Sequence, residues 1–157
     1  MNILFFLTPK SEVAYVEEDD TLRQALEKME HHGYAAVPLL STEGRYIGTL
    51  TDGDVLWGLK EKEFPSLREM EDISVMEIKR TRDNKPVHVN VDMEGLLEKV
   101  SVQNFVPVVD DEKVFIGIVT RRDVIHYLAG QHQKCLDAAA GRKTEKSISG
   151  RTILAGV

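Results

Sequence analysis

Apolar positions along the chain mark two helices with the same buried face. Leu22, Ala25, Leu26 and Met29 fall at i, i+3, i+4 and i+7, and Met93, Leu96, Leu97 and Val100 repeat that spacing. Thr21 and Gln24 stand at capping-box spacing at the start of the first helix, and Asp92 is placed as N-cap of the second. A short strand signal precedes each helix, at residues 13–16 and 87–89. An apolar strand follows each, at 37–40 and 105–109, then a turn-forming stretch at 41–44 and 110–113, then a second strand at 46–50 and 115–119. A closing helix is predicted to begin after Thr51 and again after Thr120. The order strand–helix–strand–strand–helix is thus written twice.

The second copy is a duplicate of the first. Displacing the chain by 69 positions lays residues 37–59 over 106–128 with nine identities, among them Pro38/Pro107, Gly48/Gly117, Thr51/Thr120 and Asp54/Asp123. Chance would give roughly one or two at average amino-acid usage. Each copy has about 55–60 residues, a size at which a lone domain is marginal, so the two are expected to share a core and pack sheet against sheet. Residues 1–70 are assigned to a first repeat with its linker, 71–131 to a second, and 132–157 to a C-terminal tail. Residues 60–78 are charged and weakly amphipathic and read as a linking helix or turn. The tail has little apolar periodicity and several Gly, Ser, Lys and Arg residues, and is expected to be flexible.

Composition narrows the class. The chain has 157 residues, 42% of them hydrophobic and 29% charged, as in a soluble globular protein. A formal net charge of −6 argues against binding nucleic acid or an anionic membrane over the whole surface. The apolar run at residues 3–7 ends at Thr8-Pro9, far short of the roughly 20 residues of a membrane span, and lacks the flanks of a signal peptide. It is read as a buried first element. The single Cys135 cannot form an internal disulfide, and a cytoplasmic location is expected. His31 and His32 are adjacent and complete no zinc spacing, so no metal is expected. No P-loop, nucleophile elbow or dinucleotide fingerprint is present, so catalysis is not expected.

The sharpest repeated motif joins the last strand to the last helix: Gly48, Thr51 and Asp54 in one copy, Gly117, Thr120 and Asp123 in the other. Thr at an N-cap with Asp at N3 outlines a capping box that needs no ligand. The same geometry offers free N–H groups and a partial positive charge to a phosphate, and an Asp there can accept ribose hydroxyls. Together with the apolar-Pro pairs Val37-Pro38 and Val106-Pro107, the motif resembles the CBS family over roughly residues 1–130. That resemblance implies an α+β fold of tandem CBS domains, two β-α-β-β-α repeats packed through their sheets with pseudo-two-fold symmetry. It also implies a regulatory adenine-nucleotide sensor, binding AMP, ADP, ATP or cyclic di-AMP between the repeats and signalling to a target protein.

The resemblance assigns residues to two clefts, each mixing the copies. One combines Val13, Ala14, Ala35, Ala36 and Pro38 with Thr120, Arg121, Arg122 and Asp123. The other, weaker, combines Val87, His88, Asn104, Phe105 and Pro107 with Thr51, Asp52, Gly53 and Asp54. The paired arginines offer forked donors to phosphate, whereas Asp52 in the second cleft repels it. Residues 33–38 and Thr120-Arg121-Arg122 look especially close to small stand-alone CBS pairs that bind cyclic di-AMP; Glu12 and Ala35 depart from that pattern. The basic stretch at 79–85 reads as an exposed loop or, less simply, as a loop reaching toward phosphate. CBS pairs also dimerise through their helices, which here carry Leu22, Leu26, Met29, Val55, Leu56, Leu59 and Trp57. The rival reading is therefore a nucleotide-free dimeric protein-interaction module.

Overall fold

Both repeats fold in the order the pattern predicts. The structure is a computed structural model that describes the backbone of residues 1–152 and side chains through Gly141. The first repeat consists of β2 (Val16–Glu17), α1 (Leu22–His32), β3 (Ala36–Leu40), β4 (Tyr46–Thr51) and α2 (Asp52–Glu61), preceded by a two-residue β1 (Thr8–Pro9). The second consists of β5 (Val87–His88), α3 (Met93–Val102), β6 (Phe105–Val109), β7 (Phe115–Thr120) and α4 (Arg121–Thr152).

Local chemistry sets these boundaries. Thr21 accepts from Gln24 N–H while the Gln24 side chain accepts from Thr21 N–H, closing the predicted capping box. Gly33 ends α1 in the left-handed conformation at φ 65°, where a side chain would be strained. Asp92 caps α3 by accepting from Gly95 N–H at 2.8 Å. Both β3–β4 and β6–β7 are antiparallel, and both shift register at the equivalent point, Leu39/Leu40 and Val108/Val109. The short β2 and β5 run parallel to β3 and β6, starting opposite Leu39 and Val108. Each therefore begins one residue beyond the conserved-offset proline, Pro38 or Pro107. A proline has no N–H to donate, so it sits where the inner strand has no partner on that side.

The described residues divide into two compact units, Met1–Arg121 and the helix from Arg122 onward. In the first unit β1 joins the second repeat's sheet, in the order β1-β7-β6-β5, while β2-β3-β4 form the other sheet. The sheets meet where Arg45 and Val114 form a bridge, Phe115 N–H donates to Gly44 O, and the Tyr46 and Phe115 rings stack. The segment before each repeat packs on the other one. Residues Ile3–Phe6 form a 3-10 turn against β7, with Ile3 and Phe6 buried. Met70, Val75 and Ile78 enter the core of the first repeat beside Leu22, Met29 and Val55. The linker is two 3-10 turns, Glu69–Asp72 and Val75–Glu77, fixed by hydrogen bonds from Leu22 N–H to Ile73 O and Val75 N–H to Asp20 O.

The second unit is a helix: α4 continues through Thr152, across most of the stretch read from sequence as a C-terminal tail. Ala138-Ala139-Ala140, Leu136 and Gln133 are good helix formers, and propensity carries the helix where periodicity is absent. Residues 131–141 are all exposed, so no apolar stripe was required. Residues 153–157 lie outside the described part.

Candidate functional site

One cavity of about 300 Å³ lies within the first unit, lined by residues of both repeats. The first repeat contributes Val13, Ala14, Tyr34, Ala36 and Pro38; the second contributes Asn104, Phe105, Ile118 and Thr120; Thr8 and Glu12 close one side. Strand lengths explain the opening. Because β2 starts only at Val16, residues 13 and 14 leave the sheet and turn along the free edge of β3 at Pro38. Pro38 needs no partner on that edge, and the wall stays apolar. Small side chains at Ala14 and Ala36 keep the floor clear, while Thr8, Asn104 and Thr120 supply hydrogen-bonding groups. That mix of apolar walls and few polar groups is typical of small-molecule sites.

Of the residues singled out from sequence, the structure brings Val13, Ala14, Ala36, Pro38 and Thr120 together around this cavity. Ala35 is exposed and its carbonyl accepts from Asp52 N–H, mirrored by Asn104 O and Arg121 N–H in the other repeat. Arg121 is engaged within the fold. Its Nε–H is shared between the carbonyls of Val100 and Gln103, 2.7 and 3.2 Å away, so it closes the C-terminal end of α3. A cation at that end is favourable, which resolves why a basic residue opens α4. Arg122 and Asp123 belong to the second unit; both are exposed, and Arg122 makes no hydrogen bond or ion pair among the described residues. Reasoning from sequence missed Thr8, Tyr34 and Ile118 and assigned Asn104 and Phe105 to the other cleft. The offset of 69 could have placed those two, since it maps Ala35 and Ala36 onto Asn104 and Phe105.

The second expected cleft is filled by the chain itself. Asp54 is 2% exposed and accepts from Thr51 N–H, from Thr81 N–H at 3.0 Å and from Thr81 Oγ1 at 2.7 Å. Burial pushes its carboxyl up, but the hydrogen bonds from Thr81 and Thr51 outweigh that and hold it below the ordinary value. Asp83 accepts from Thr49 N–H and from Arg80 Nε, both at 2.9 Å. A side chain at Gly48 would strike the Asp83 carboxylate and come within 2.7 Å of Arg80 Nε. Asn84 ties the segment across the fold, donating from Nδ2 to Phe105 O and accepting the Tyr46 hydroxyl at its carbonyl. Burial pushes the Tyr46 phenol up to about 12. Thus Asp54 is a structural anchor, Asp52 caps locally onto Gly53 N–H, and Pro107 is buried opposite Ile118.

Val87 and His88 lie elsewhere on the sheet. They pair with Val108 and Val109, at the far end of β6 from Phe105, and His88 Nε2 lies 2.7 Å from Asp111 Oδ1. The register equates Val87 with Val16, so the counterparts of Val13 and Ala14 are Asn84 and Lys85. Those are polar, and an apolar match could not reveal them. Among the described residues no group of three or more His, Cys, Asp or Glu could hold a metal, and no helix is long and apolar enough to cross a membrane.

Comparison with known proteins gives consistent matches. A family profile described as the CBS domain matches residues 6–61 and 75–130. Cyclic di-AMP receptor B of Bacillus subtilis (strain 168) is 33% identical over 128 residues, covering 78% of this chain and 83% of that protein. Inosine-5'-monophosphate dehydrogenase of Methanocaldococcus jannaschii is 28% identical over 116 residues, which is 73% of this chain but 21% of the enzyme. Among solved structures, CbpB in complex with c-di-AMP aligns with a TM-score of 0.79 at 20% identity, covering 88% of this chain and 91% of that one, a likeness of fold.

Proposed function

Because the chain belongs to the CBS-domain family, we propose that it is a regulatory receptor for an adenine nucleotide, with cyclic di-AMP as the preferred ligand. The observation that carries this reading is the 300 Å³ cavity walled by both repeats, in a chain that spans 83% of a cyclic di-AMP receptor at 33% identity. The volume stands at the lower limit of small-molecule sites, which suits one nucleoside held between Pro38, Ala36 and Ile118. Thr120 and Asn104 offer polar groups at its edge. Arg122 and Asp123 enter the reading through the repeated motif alone, as phosphate and ribose partners. AMP, ADP and ATP are the competing ligands. The role is binding rather than catalysis, in the cytoplasm, and the output is a changed affinity for a target protein, which requires the ligand to favour one of two states. A homodimer through the closing helices belongs to the same reading, since Leu56 and Trp57 on α2 are 48% and 57% exposed.

The test is a calorimetric titration of the chain with cyclic di-AMP, AMP, ADP and ATP, repeated with Ala36→Leu. Binding of cyclic di-AMP at the lowest Kd, lost when the leucine fills the cavity, is the expected result. Preference for a mononucleotide would replace the ligand. Absence of binding to all four by a folded chain would leave the nucleotide-free interaction module.

A further inference from the structure

On a chain of net charge −6, three cations without partners gather at one groove. Arg82 and Lys85, from the loop before β5, and Lys99, from the last turn of α3, line a groove of about 430 Å³ with Ser101, Val102 and Gln103. Among the described residues none of the three side chains makes a hydrogen bond or ion pair. The acidic neighbours do not cancel them. Asp83 is bound to Arg80 and to Thr49 N–H, which leaves Glu98 as the one opposing charge in the lining without a hydrogen-bonding partner. Val102 is 77% exposed in the same lining, an apolar side chain on show among cations.

The groove is rigidly built. Gln103 accepts from Lys85 N–H at 2.8 Å and donates to Lys85 O at 3.1 Å, so the loop is clamped to the end of α3 by two bonds from one side chain. On its inner side the loop is held by Asp54 through Thr81 and by Phe105 O through Asn84. The neighbouring residues Asn104 and Phe105 are also walls of the 300 Å³ cavity. Groove and cavity therefore share the 103–105 segment.

We infer that this groove docks an acidic segment of a partner protein, its carboxylates on Arg82, Lys85 and Lys99 and an apolar side chain on Val102. A protein segment fits better than nucleic acid. The lining has no aromatic residue on which a base could stack, and it presents Val102, an apolar side chain for which a sugar–phosphate backbone has no counterpart. Exposed cations beside an apolar anchor match the usual anatomy of a protein interface. The inference relies on the receptor reading only for what the docked partner is used for; the docking itself requires no nucleotide.

The experiment is fluorescence anisotropy on the full chain, without nucleotide, using a short fluorescein-labelled peptide of glutamates around one leucine. A lysine version of the peptide and a single-stranded DNA oligonucleotide serve as the other probes. The glutamate peptide is expected to bind, with binding at least about tenfold weaker in Arg82→Glu/Lys85→Glu/Lys99→Glu and unchanged in Arg45→Glu, which reverses a cation outside the groove. Val102→Ser is expected to weaken it several-fold. Equal binding to the triple variant, equal binding of the lysine peptide, or tighter binding of the oligonucleotide would overturn the inference. A calorimetric titration with cyclic di-AMP on the same variants separates the two readings. A chain that binds the peptide but no nucleotide refutes the receptor, and one that binds nucleotide but no peptide refutes the groove.

Discussion

Asp54 and Asp123 occupy the same position in the two repeats, and the structure predicts opposite consequences for their removal. Asp54 is buried and takes three hydrogen bonds, from Thr51 N–H, Thr81 N–H and the Thr81 hydroxyl. In Asp54→Ala the two amides and the hydroxyl lose their acceptor inside the fold. Hydrogen bonds to a charged group contribute about 1.5–3 kcal/mol each, and their loss is not additive, so a total near 3 kcal/mol is expected. Asp123 is exposed, and the cost of truncating it is that of a helix-start residue, about 1 kcal/mol or less. Urea unfolding at neutral pH measures both, and titration with cyclic di-AMP measures function. The expected pattern is Asp54→Ala destabilised with nucleotide affinity retained, and Asp123→Ala stable with nucleotide affinity lost. The Asp54 carboxyl lies below its ordinary value in the fold, so its contribution is present above the unfolded value of about 3.9 and is lost as pH falls through the lower folded one. The stability gap between wild type and Asp54→Ala should therefore narrow as pH falls below about 4. A neutral-pH loss under about 1 kcal/mol, or a gap that persists unchanged into acid, would refute the anchoring role.

Further expectations follow from the same geometry. Calorimetry should give one nucleotide per chain, since the loop through Thr81 and Asp83 already fills the second cleft; two per chain would show that the loop leaves. Stability should fall between about pH 10 and 12, because the unfolded phenol of Tyr46 ionises near 10 while the folded one is held up to about 12. Tyr46→Phe should remove that alkaline phase in pH-jump unfolding. Arg121→Ala should cost about 1 kcal/mol by uncapping α3 with little change in nucleotide affinity, whereas Arg122→Ala should weaken affinity with little change in unfolding midpoint. Parallel unfolding and titration of the two variants decide between these roles.

What was legible in the sequence follows a physical rule. Periodicity finds faces that are buried, so Leu22, Met29, Leu96 and Val100 placed both early helices, and the offset of 69 placed both strand pairs. The cavity was half visible for the same reason: Pro38 and Ala36 lie on a strand that repeats. Three things stayed hidden because their cause is not periodic. In the last helix residues 133–141 are all exposed, so they left no stripe to read. Arg121 carries the charge a phosphate site needs, but charge does not reveal direction, and the open carbonyls at the end of α3 lie closer to hand. The third is what makes the clefts unequal. Asp52 marked the second cleft as the weaker one, yet the residues that decide occupancy lie upstream of the shared Thr51/Asp54 and Thr120/Asp123 motif, where the copies diverge. Val13 and Ala14 leave a gap beside Pro38, while their counterparts Asn84 and Lys85 belong to a polar loop that bonds inward. Duplication created two frames of the same shape, and the entering segment filled one of them. The motif thus records the frame, and the divergent loop determines which frame remains open to a ligand.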